Sequence, residues 1–417
     1  MNVTGALDKL FKLHTFGVKL GLDNVKKFLS YLGNPQSKLK AIHIAGSNGK
    51  GSTASFIASI LMENGFKVGL YTSPHFIKFN ERIVINGRQI PDYYVADFID
   101  KHWEYIIPNK LTFFEVTTAM AFKYFYENKI DYAVVETGLG GRLDATNVLN
   151  PLSVVITSIS LEHTNVLGSR LTEIAKEKAA IIKAGAKVFT GILPAKADKI
   201  IEEKCKEENC PFYRIDEYII EQDDDIKLYT EEIELEEWEI PLKGKYQKYN
   251  AALAVLTVVK SLLIDDEKHI EKGLVNVIQN TGIQGRYEFF NKQPDVIFDS
   301  AHNLDGLQQF LEAFKISTEQ YGQCSVLFGC MKDKDAGKML KLLNKEFDNI
   351  YVTQIDYERS AGIEELLEIS RRENIEVEGV DEPASFIKNF IKNKPDDCLV
   401  VLGSMYILGE VKKKLLL

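Results

Sequence analysis

The segment from Lys40 to His75, KAIHIAGSNGKGSTASFIASILMENGFKVGLYTSPH, limits the possible folds more than any other stretch of the chain. Ile42 to Ala45 read as a short buried strand, followed by a glycine-rich turn. Ser52 to Asn64 then carry a helical pattern, with Phe56, Ile57, Ile60 and Leu61 on one face. Gly65 stops that helix, and Lys67 to Tyr71 form the next strand. Strand, helix and strand in this order make a βαβ unit, which requires a parallel sheet covered by helices.

The same alternation runs on. Helices are expected over 112–127, 171–184 and 248–263, and strands over 131–137, 153–159 and 186–191. Residues 215–240 differ: they alternate polar and apolar residues around the acidic run 223–225. They read as antiparallel strands on a sheet edge, with the acidic run as a solvated turn. In 281–290 two glycines precede a new strand, and a domain boundary is placed there. Beyond it, strands over 295–299, 324–328, 349–353 and 398–402 again alternate with helices. The expectation is an α/β chain with a larger domain over 1–284 and a smaller one over 285–417.

Composition narrows the function. The 417 residues are 45% apolar and 27% charged, the balance of a water-soluble globular chain. A formal charge of −9 argues against nucleic acid as the main partner, although it leaves room for a local basic pocket. The five cysteines form no CxxC pair, which fits a reducing compartment without a disulfide framework or zinc knuckle. Residues 1–20 lack an apolar secretory core, and no run of about 18 apolar residues exists. A cytoplasmic protein with no membrane partner is expected.

The turn Gly46-Ser47-Asn48-Gly49-Lys50-Gly51-Ser52 is the strongest chemical signal. Glycines let backbone N–H groups crowd around an anion, and the helix N-terminus adds partial positive charge. Lys50 can reach the outer phosphates of a nucleotide and Ser52 can face its metal. The eight-residue form of such a loop needs glycine where Ile44 stands, so this is a shorter variant. The plainer alternative is an ordinary glycine-rich strand–helix turn.

This loop resembles the G-T-N-G-K-G-S/T loop of folate ligases in the Mur ligase superfamily, with Ser47 in place of threonine. Further segments match the folylpolyglutamate synthase/dihydrofolate synthase pattern in order and spacing. They are Tyr71-Thr72-Ser73-Pro74-His75, Thr112-Phe113-Phe114-Glu115, the run from Glu136 to Asn147 (ETGLGGRLDATN), Glu162-His163, Glu177-Lys178-Ala179, Asp299-Ser300-Ala301-His302-Asn303, GCMKDKD at 329–335, and Gly403-Ser404-Met405-Tyr406. The likeness runs from about residue 15 to the C-terminus, and the glycine-rich run at 136–147 is its most specific part. Glu162 stands where the family commonly has aspartate, Ala180 replaces a usual glycine, and Ser300 replaces the glycine of Asp-Gly-Ala-His-Asn.

The resemblance implies a P-loop Mur-ligase-type central domain and a smaller Rossmann-like C-terminal domain. It implies ATP bound by Ser47, Asn48, Gly49, Lys50, Gly51, Ser52, Asn250, Arg286 and Asp299, and Mg²⁺ held by Ser73, Glu136 and His163. Lys50, Lys178 and His302 form the implied catalytic set, with Lys178 carbamylated by CO₂. Thr112, Phe113, Phe114, Glu115, Leu143, Asp144 and Ala145 are implied for a folate or dihydropteroate site. ATP is expected in a cleft that Arg286 closes, L-glutamate is the incoming amine, and the enzyme is expected to be monomeric.

The residues alone leave several alternatives open. Glu136 ends a buried strand, where α/β sheets present ligand groups, or is a solvent-facing carboxylate. His163 is an unusual partner for Mg²⁺, which prefers oxygen, and could be a satisfied loop histidine. Ser73 could simply start a turn. Lys178 on its own reads as a surface lysine of an amphipathic helix. Phe113 and Phe114 could offer a ring to a flat pterin or only begin a core helix. Asn250 could bond the adenine or cap its helix, and Asp299 and His302 could be plain strand-end polar residues. Two competing functions stay in view: a related ligase with another acceptor, such as a peptidoglycan precursor, and a nucleotide switch that hydrolyses ATP without ligation.

Overall fold

The computed structural model describes residues 3–13, 21–222, 225–316 and 318–416. Asp223 and Asp224 of the acidic run, and residues 14–20 near the N-terminus, lie outside the described residues. The chain divides between Ile283 and Gln284 into two compact units, and the second also takes His75–Phe79 and Leu242–Gln247.

The first unit is built on eight strands: β1 (Ala41–Ala45), β2 (Val68–Tyr71), β3 (Ile83–Ile85), β4 (Arg88–Gln89), β5 (Tyr132–Glu136), β6 (Ser153–Ile156), β7 (Lys187–Thr190) and β8 (Phe212–Arg214). Their order is β4-β3-β2-β5-β1-β6-β7-β8. Strands β2, β5, β1, β6, β7 and β8 run parallel, while β3 and β4 close one edge antiparallel. All five residues of β1 are buried, as a central strand covered on both faces requires. The helix Lys50–Glu63 is buried continuously from Ser52 to Leu61, which explains why its apolar residues are not confined to one stripe. On the other side of β1, Val154, Ile156 and Val188 pack against Ile174, Ala175 and Ala179 of the helix Leu171–Ala179.

The topology places the chemistry. Strand β1 lies between β5 and β6, so the chain crosses from one side of β1 to the other between them. The loops leaving the carboxyl ends of these three strands therefore meet, as they do at the switch point of any open α/β sheet. Ile44 is in register with Glu136, and Ala45 with Ile156, which brings the glycine turn, the 137–147 run and the 157–163 segment together.

The expected sheet-edge strands of 215–240 form a sheet of their own: β9 (Ile219–Gln222), β10 (Asp225–Tyr229) and β11 (Glu234–Leu235), in the antiparallel order β11-β10-β9. Two expected helix limits also change. The helix expected over 171–184 ends at Ala179, although Ile181 and Ile182 stay in the core as turn residues. The helix expected from 248 begins at Lys245 and runs to Leu262.

The second unit carries six strands: β12 (Glu288–Asn291), β13 (Asp295–Asp299), β14 (Cys324–Phe328), β15 (Asn349–Val352), β16 (Glu378–Gly379) and β17 (Cys398–Leu402). Their order is β12-β13-β17-β14-β15-β16, parallel except for β12. Alternate residues feed two cores. Ile297, Val326, Val400 and Leu402 face one, and Val296, Phe298, Leu327, Leu399 and Val401 face the other. Among the described residues the five cysteines are free, and no helix is long and apolar enough to cross a membrane.

Candidate active site

The glycine turn is tied to its neighbour before any ligand arrives. Ser47 N–H donates to Ser158 O at 2.9 Å, and the Ser47 hydroxyl accepts from Ser160 N–H at 3.0 Å. Asn48 N–H donates to Ser158 Oγ at 2.8 Å, while the hydroxyls of Thr157 and Ser158 donate to Asn48 O at 2.6 and 3.0 Å. Sequence reasoning missed Thr157, Ser158 and Ser160. Gly49 sits at φ +85° and caps the helix Lys50–Glu63, and a Cβ there would lie 2.4 Å from Asn250 Oδ1. Only glycine tolerates both the left-handed backbone and that contact. Asn250 also accepts from Thr53 Oγ1 at 3.4 Å. It lies inside the helix Lys245–Leu262 rather than at its start, so the capping alternative falls away.

Two lysines converge on this turn. Lys50 Nζ donates to Gly46 O at 2.8 Å and Ser47 O at 3.0 Å. Lys178 Nζ donates to the same Gly46 O at 2.8 Å and to Glu162 Oε1 at 2.6 Å. Lys178 is only 1% exposed, which overturns its reading as a surface lysine. Burial pushes its amine down to about 8, against the opposing pull of Glu162. Burial alone would raise the Glu162 carboxyl, but the charges of Lys178, Lys50 and His163 outweigh it and hold Glu162 at about 2. Lys50, Lys178, Glu162 and His163 thus share one small volume around Gly46. His163 has a left-handed backbone, φ 45°, immediately before the short helix Thr164–Leu167.

Ser73 and Glu136 are also adjacent, since Ser73 N–H donates to Glu136 Oε2 at 3.0 Å. Burial pushes the Tyr71 phenol up, and the charges of Arg82, Asp144 and Glu136 all reach it. Among the described residues no cluster of three His, Cys, Asp or Glu is arranged for a metal. The donor set nevertheless fits Mg²⁺, which takes hard oxygens such as the Ser73 hydroxyl and Glu136 carboxylate. This ion normally keeps waters and shares its coordination with substrate phosphates rather than sitting in an all-protein cage.

The run 136–147 folds around Asp144. Its Oδ2 accepts the N–H groups of Gly138 and Leu139 at 2.9 and 2.8 Å, and its Oδ1 accepts Thr146 N–H at 3.0 Å and the Thr146 hydroxyl at 2.5 Å. Burial raises this carboxyl while those four bonds oppose the rise. The loop then lies directly on the helix Leu171–Ala179: a Cβ on Gly141 would come within 2.6 Å of Glu177 O and 3.1 Å of Lys178 Cα. Gly141→Ala is expected to cost about 1–3 kcal/mol in urea unfolding, because backbone on one side or the other must move. An alanine variant as stable as the wild type would show that the loop can lift away freely.

The aromatic segment divides by role. Thr112 and Glu115 form a capping box on the helix Phe113–Glu127: Glu115 N–H donates to Thr112 Oγ1 at 3.3 Å, and Thr112 N–H and Oγ1 donate to Glu115 Oε2 at 2.8 and 2.9 Å. Their polar groups satisfy each other and the helix end. Phe113 is stacked on Phe11, with ring centroids 5.7 Å apart, and lies under the Arg82 guanidinium at 5.2 Å. Phe114 leans against Gly138 and Tyr71, so its ring borders the glycine run that contains Leu143 and Ala145.

Strand β1 contributes one more residue that the sequence did not single out. His43 is fully buried, and burial together with the charge of Lys183 pushes it down to about 3 from 6.5. The unfolded chain therefore binds more protons than the folded chain between those values. The stability from neutral His43 is complete above pH 6.5 and is lost as pH falls, by about 1.4 kcal/mol per unit. Between pH 7 and pH 5 the wild type should lose about 2 kcal/mol in urea melts that His43→Gln keeps. Equal losses in both proteins would refute the assignment.

In the second unit, Asp299 accepts N–H groups from Tyr287 and Ala301, each at 2.8 Å, and burial pushes its carboxyl up to about 6. Arg286 Nη1 donates to Gly285 O at 3.1 Å and bonds the Ser300 hydroxyl. His302 Nδ1 lies 2.9 Å from Ser300 O. Arg286, Asp299 and His302 therefore gather at the carboxyl end of β13, next to the β12–β13 pair.

Comparison with known proteins bears on the family of the chain. Residues 44–258 match the Mur ligase middle domain, and residues 285–405 match the Mur ligase glutamate ligase domain. The chain is 35% identical over 416 residues to the dihydrofolate synthase/folylpolyglutamate synthase of Bacillus subtilis, covering 96% of each. It is 31% identical to the folylpolyglutamate synthase of Lacticaseibacillus casei, covering 93% of this chain and 92% of that one. Among solved structures it superposes on E. coli FolC in complex with DHPP and ADP with a TM-score of 0.88 at 30% identity, over 99% of this chain and 97% of that chain. A two-layer match of this kind, in sequence along the whole length and in fold, leaves one conclusion: the chain belongs to the dihydrofolate synthase/folylpolyglutamate synthase family of the Mur ligases.

Proposed function

We propose that this protein is an ATP-dependent ligase that joins L-glutamate to a folate, and also to dihydropteroate. The observation that carries the reading is the meeting of Lys50 and Lys178 on Gly46 O, with Glu162 bonded to Lys178 and within the field of His163, together with the Ser73–Glu136 pair. A triphosphate and a carboxylate repel each other, so phosphoryl transfer between them needs fixed cations more than it needs an acid or base.

In this reading a carboxylate oxygen of the acceptor attacks the γ-phosphorus and the bond to the β-bridging oxygen breaks, releasing ADP. The glutamate amine then attacks the acyl phosphate carbonyl. The amide forms, phosphate leaves, and the amine gives up a proton. Lys50 leaves its loop carbonyls to hold the transferring phosphoryl group, and the turn 46–52 presents its N–H groups to the phosphates. Mg²⁺ held by Ser73, Glu136 and His163 would neutralise charge on the phosphates. Lys178, as a buried amine held near 8, has the reactivity to take up CO₂ as a carbamate. That product would place a negative charge beside Glu162, so it requires a cation between them.

Phe113, Phe114, Leu143, Asp144 and Ala145 are assigned to the acceptor subsite, with Thr112 and Glu115 fixing the helix that carries the two rings. The domain over 1–284 holds these groups and the nucleotide turn. The domain over 285–417 carries Arg286, Asp299 and His302, to which we assign nucleotide contacts and a catalytic role for His302. A cytoplasmic location fits the free cysteines, and we assign a monomeric state.

ADP release measured with ATP, Mg²⁺, glutamate and either dihydropteroate or a reduced folate tests the proposal. Stimulation that requires both glutamate and the pterin compound is expected. ADP release indifferent to every folate would overturn the acceptor, and no ADP release at all would overturn the ligase.

A further inference from the structure

The reaction outlined above gives His43 nothing to do, yet a histidine in the middle of a central strand needs a reason. Strand β1 is otherwise Ala41, Ile42, Ile44 and Ala45, and all five positions are buried. His43 Nε2 lies 2.8 Å from Thr146 Oγ1. Thr146 in turn donates its hydroxyl proton to Asp144 Oδ1 at 2.5 Å. A hydroxyl has one proton, so towards His43 it can only accept. His43 therefore carries its hydrogen on Nε2. Its Nδ1 is buried and lacks a partner among the described residues, a cost that an aliphatic residue at this position would avoid.

The bonds run in one direction, from His43 Nε2–H to the Thr146 hydroxyl and on to Asp144. At the far end, Asp144 receives four donors on its two oxygens, two of them the N–H groups of Gly138 and Leu139. A carboxylate has about four acceptor positions, so this one is fully engaged in shaping its own loop. If His43 stopped donating, the Thr146 oxygen would lack a buried partner and the hydroxyl could turn away from Asp144. The carboxylate that anchors the Gly138–Leu139 segment, against which Phe114 packs, would then be held by one donor fewer on Oδ1 and be freer to turn. The nucleotide turn has separate ties, through Ser158 and Ser160.

We infer that His43 is a positioning residue for the acceptor substrate: acting through Thr146, it fixes the Asp144 carboxylate and so the glycine loop that borders the acceptor subsite. The inference rests on the assignment of that loop to the acceptor in the proposed function. It sets a division of labour along one strand, in which the end of β1 serves the nucleotide and its centre serves the acceptor.

The test compares His43→Leu, His43→Gln and Thr146→Val with the wild type, reading ADP release while ATP and the reduced folate are varied in turn. Leucine and valine remove the donor and the relay with little change of volume, whereas glutamine keeps an N–H donor. His43→Leu and Thr146→Val are each expected to raise the KM for the folate about tenfold. The KM for ATP should stay within about twofold. His43→Gln should recover most of the loss, and the double variant should be no worse than Thr146→Val, because both changes cut one chain of bonds. A second readout needs no turnover: backbone hydrogen exchange at Gly138 and Leu139 should speed up in both variants. Unchanged folate KM in His43→Leu, an equal rise in the KM for ATP, or unchanged exchange at these two amides would overturn the inference. If the wild type itself releases no ADP with any folate, the proposed function falls, while the exchange measurement still decides the relay.

Discussion

Replacing Lys50 with methionine should lower ADP formation by about a thousandfold while leaving the folded protein intact. The size follows from the role: removing one cationic or hydrogen-bonding group aimed at developing charge costs about 10² to 10³ in kcat. In the proposed site Lys178 does not substitute for it, because Lys178 is committed to Glu162 and Gly46 O. The fold should survive because the Lys50 bonds are to Gly46 O and Ser47 O, partly buried loop carbonyls that water can reach. The turn keeps its ties to Ser158 and Ser160. Lys50→Arg should rescue little, since a planar fork is a poor substitute for a compact ammonium in a tight turn. The check is kcat for ADP release beside a urea melt. A Lys50→Met enzyme with more than about a tenth of wild-type turnover and an unchanged melt would remove Lys50 from the mechanism.

The parts of this site that could be read in the sequence are those in which chemistry and local structure share one short segment. The turn 46–52 follows a run of apolar residues and opens a helix, so its glycines, lysine and serine mark both the bend and a candidate anion site. Glu136 was legible for the same reason, as a carboxylate closing a buried strand. The strands β1, β5 and β6 were visible because apolar residues fill them continuously, as central parallel strands demand.

Pairings across distance were not visible. Lys178 sits in an amphipathic pattern that any surface lysine would share, and its partner Glu162 lies 16 residues earlier on a loop. His43 and Thr146 are 103 residues apart, and no spacing rule joins them. Thr112 and Glu115 are an instructive intermediate case. The T-x-x-E spacing before an apolar run announces the capping box that the structure shows, while the acceptor role of the two residues rests on the family resemblance. Before Lys248 the polar residues Lys245 and Gln247 hide the true start of the helix that carries Asn250. The strands β3 and β4, of three and two residues, are too short to show a period in the sequence.

The buried ion pair gives the second large effect, and it should be asymmetric. Lys178 and Glu162 have side chains 1% and 6% exposed, so neither charge can turn to water. Removing the lysine with Lys178→Met strands a carboxylate whose acidity had been held near 2, mainly against the cost of burial. Breaking a buried pair by deleting one partner costs about 3–5 kcal/mol. Lys50 and His163 offset part of this, because their fields also reach Glu162. Removing the acid with Glu162→Gln leaves an amine that burial already holds near 8 and that keeps its bond to Gly46 O. Such an amine can release its proton at small cost, so this variant should lose about 1–2 kcal/mol. The double variant should be less unstable than Lys178→Met alone, since it leaves no buried charge to compensate. Urea unfolding of the three proteins at pH 7 measures all of this. If Lys178→Met proves as stable as Glu162→Gln, the carboxylate is not confined as the geometry requires, and Glu162 must have water or another cation within reach.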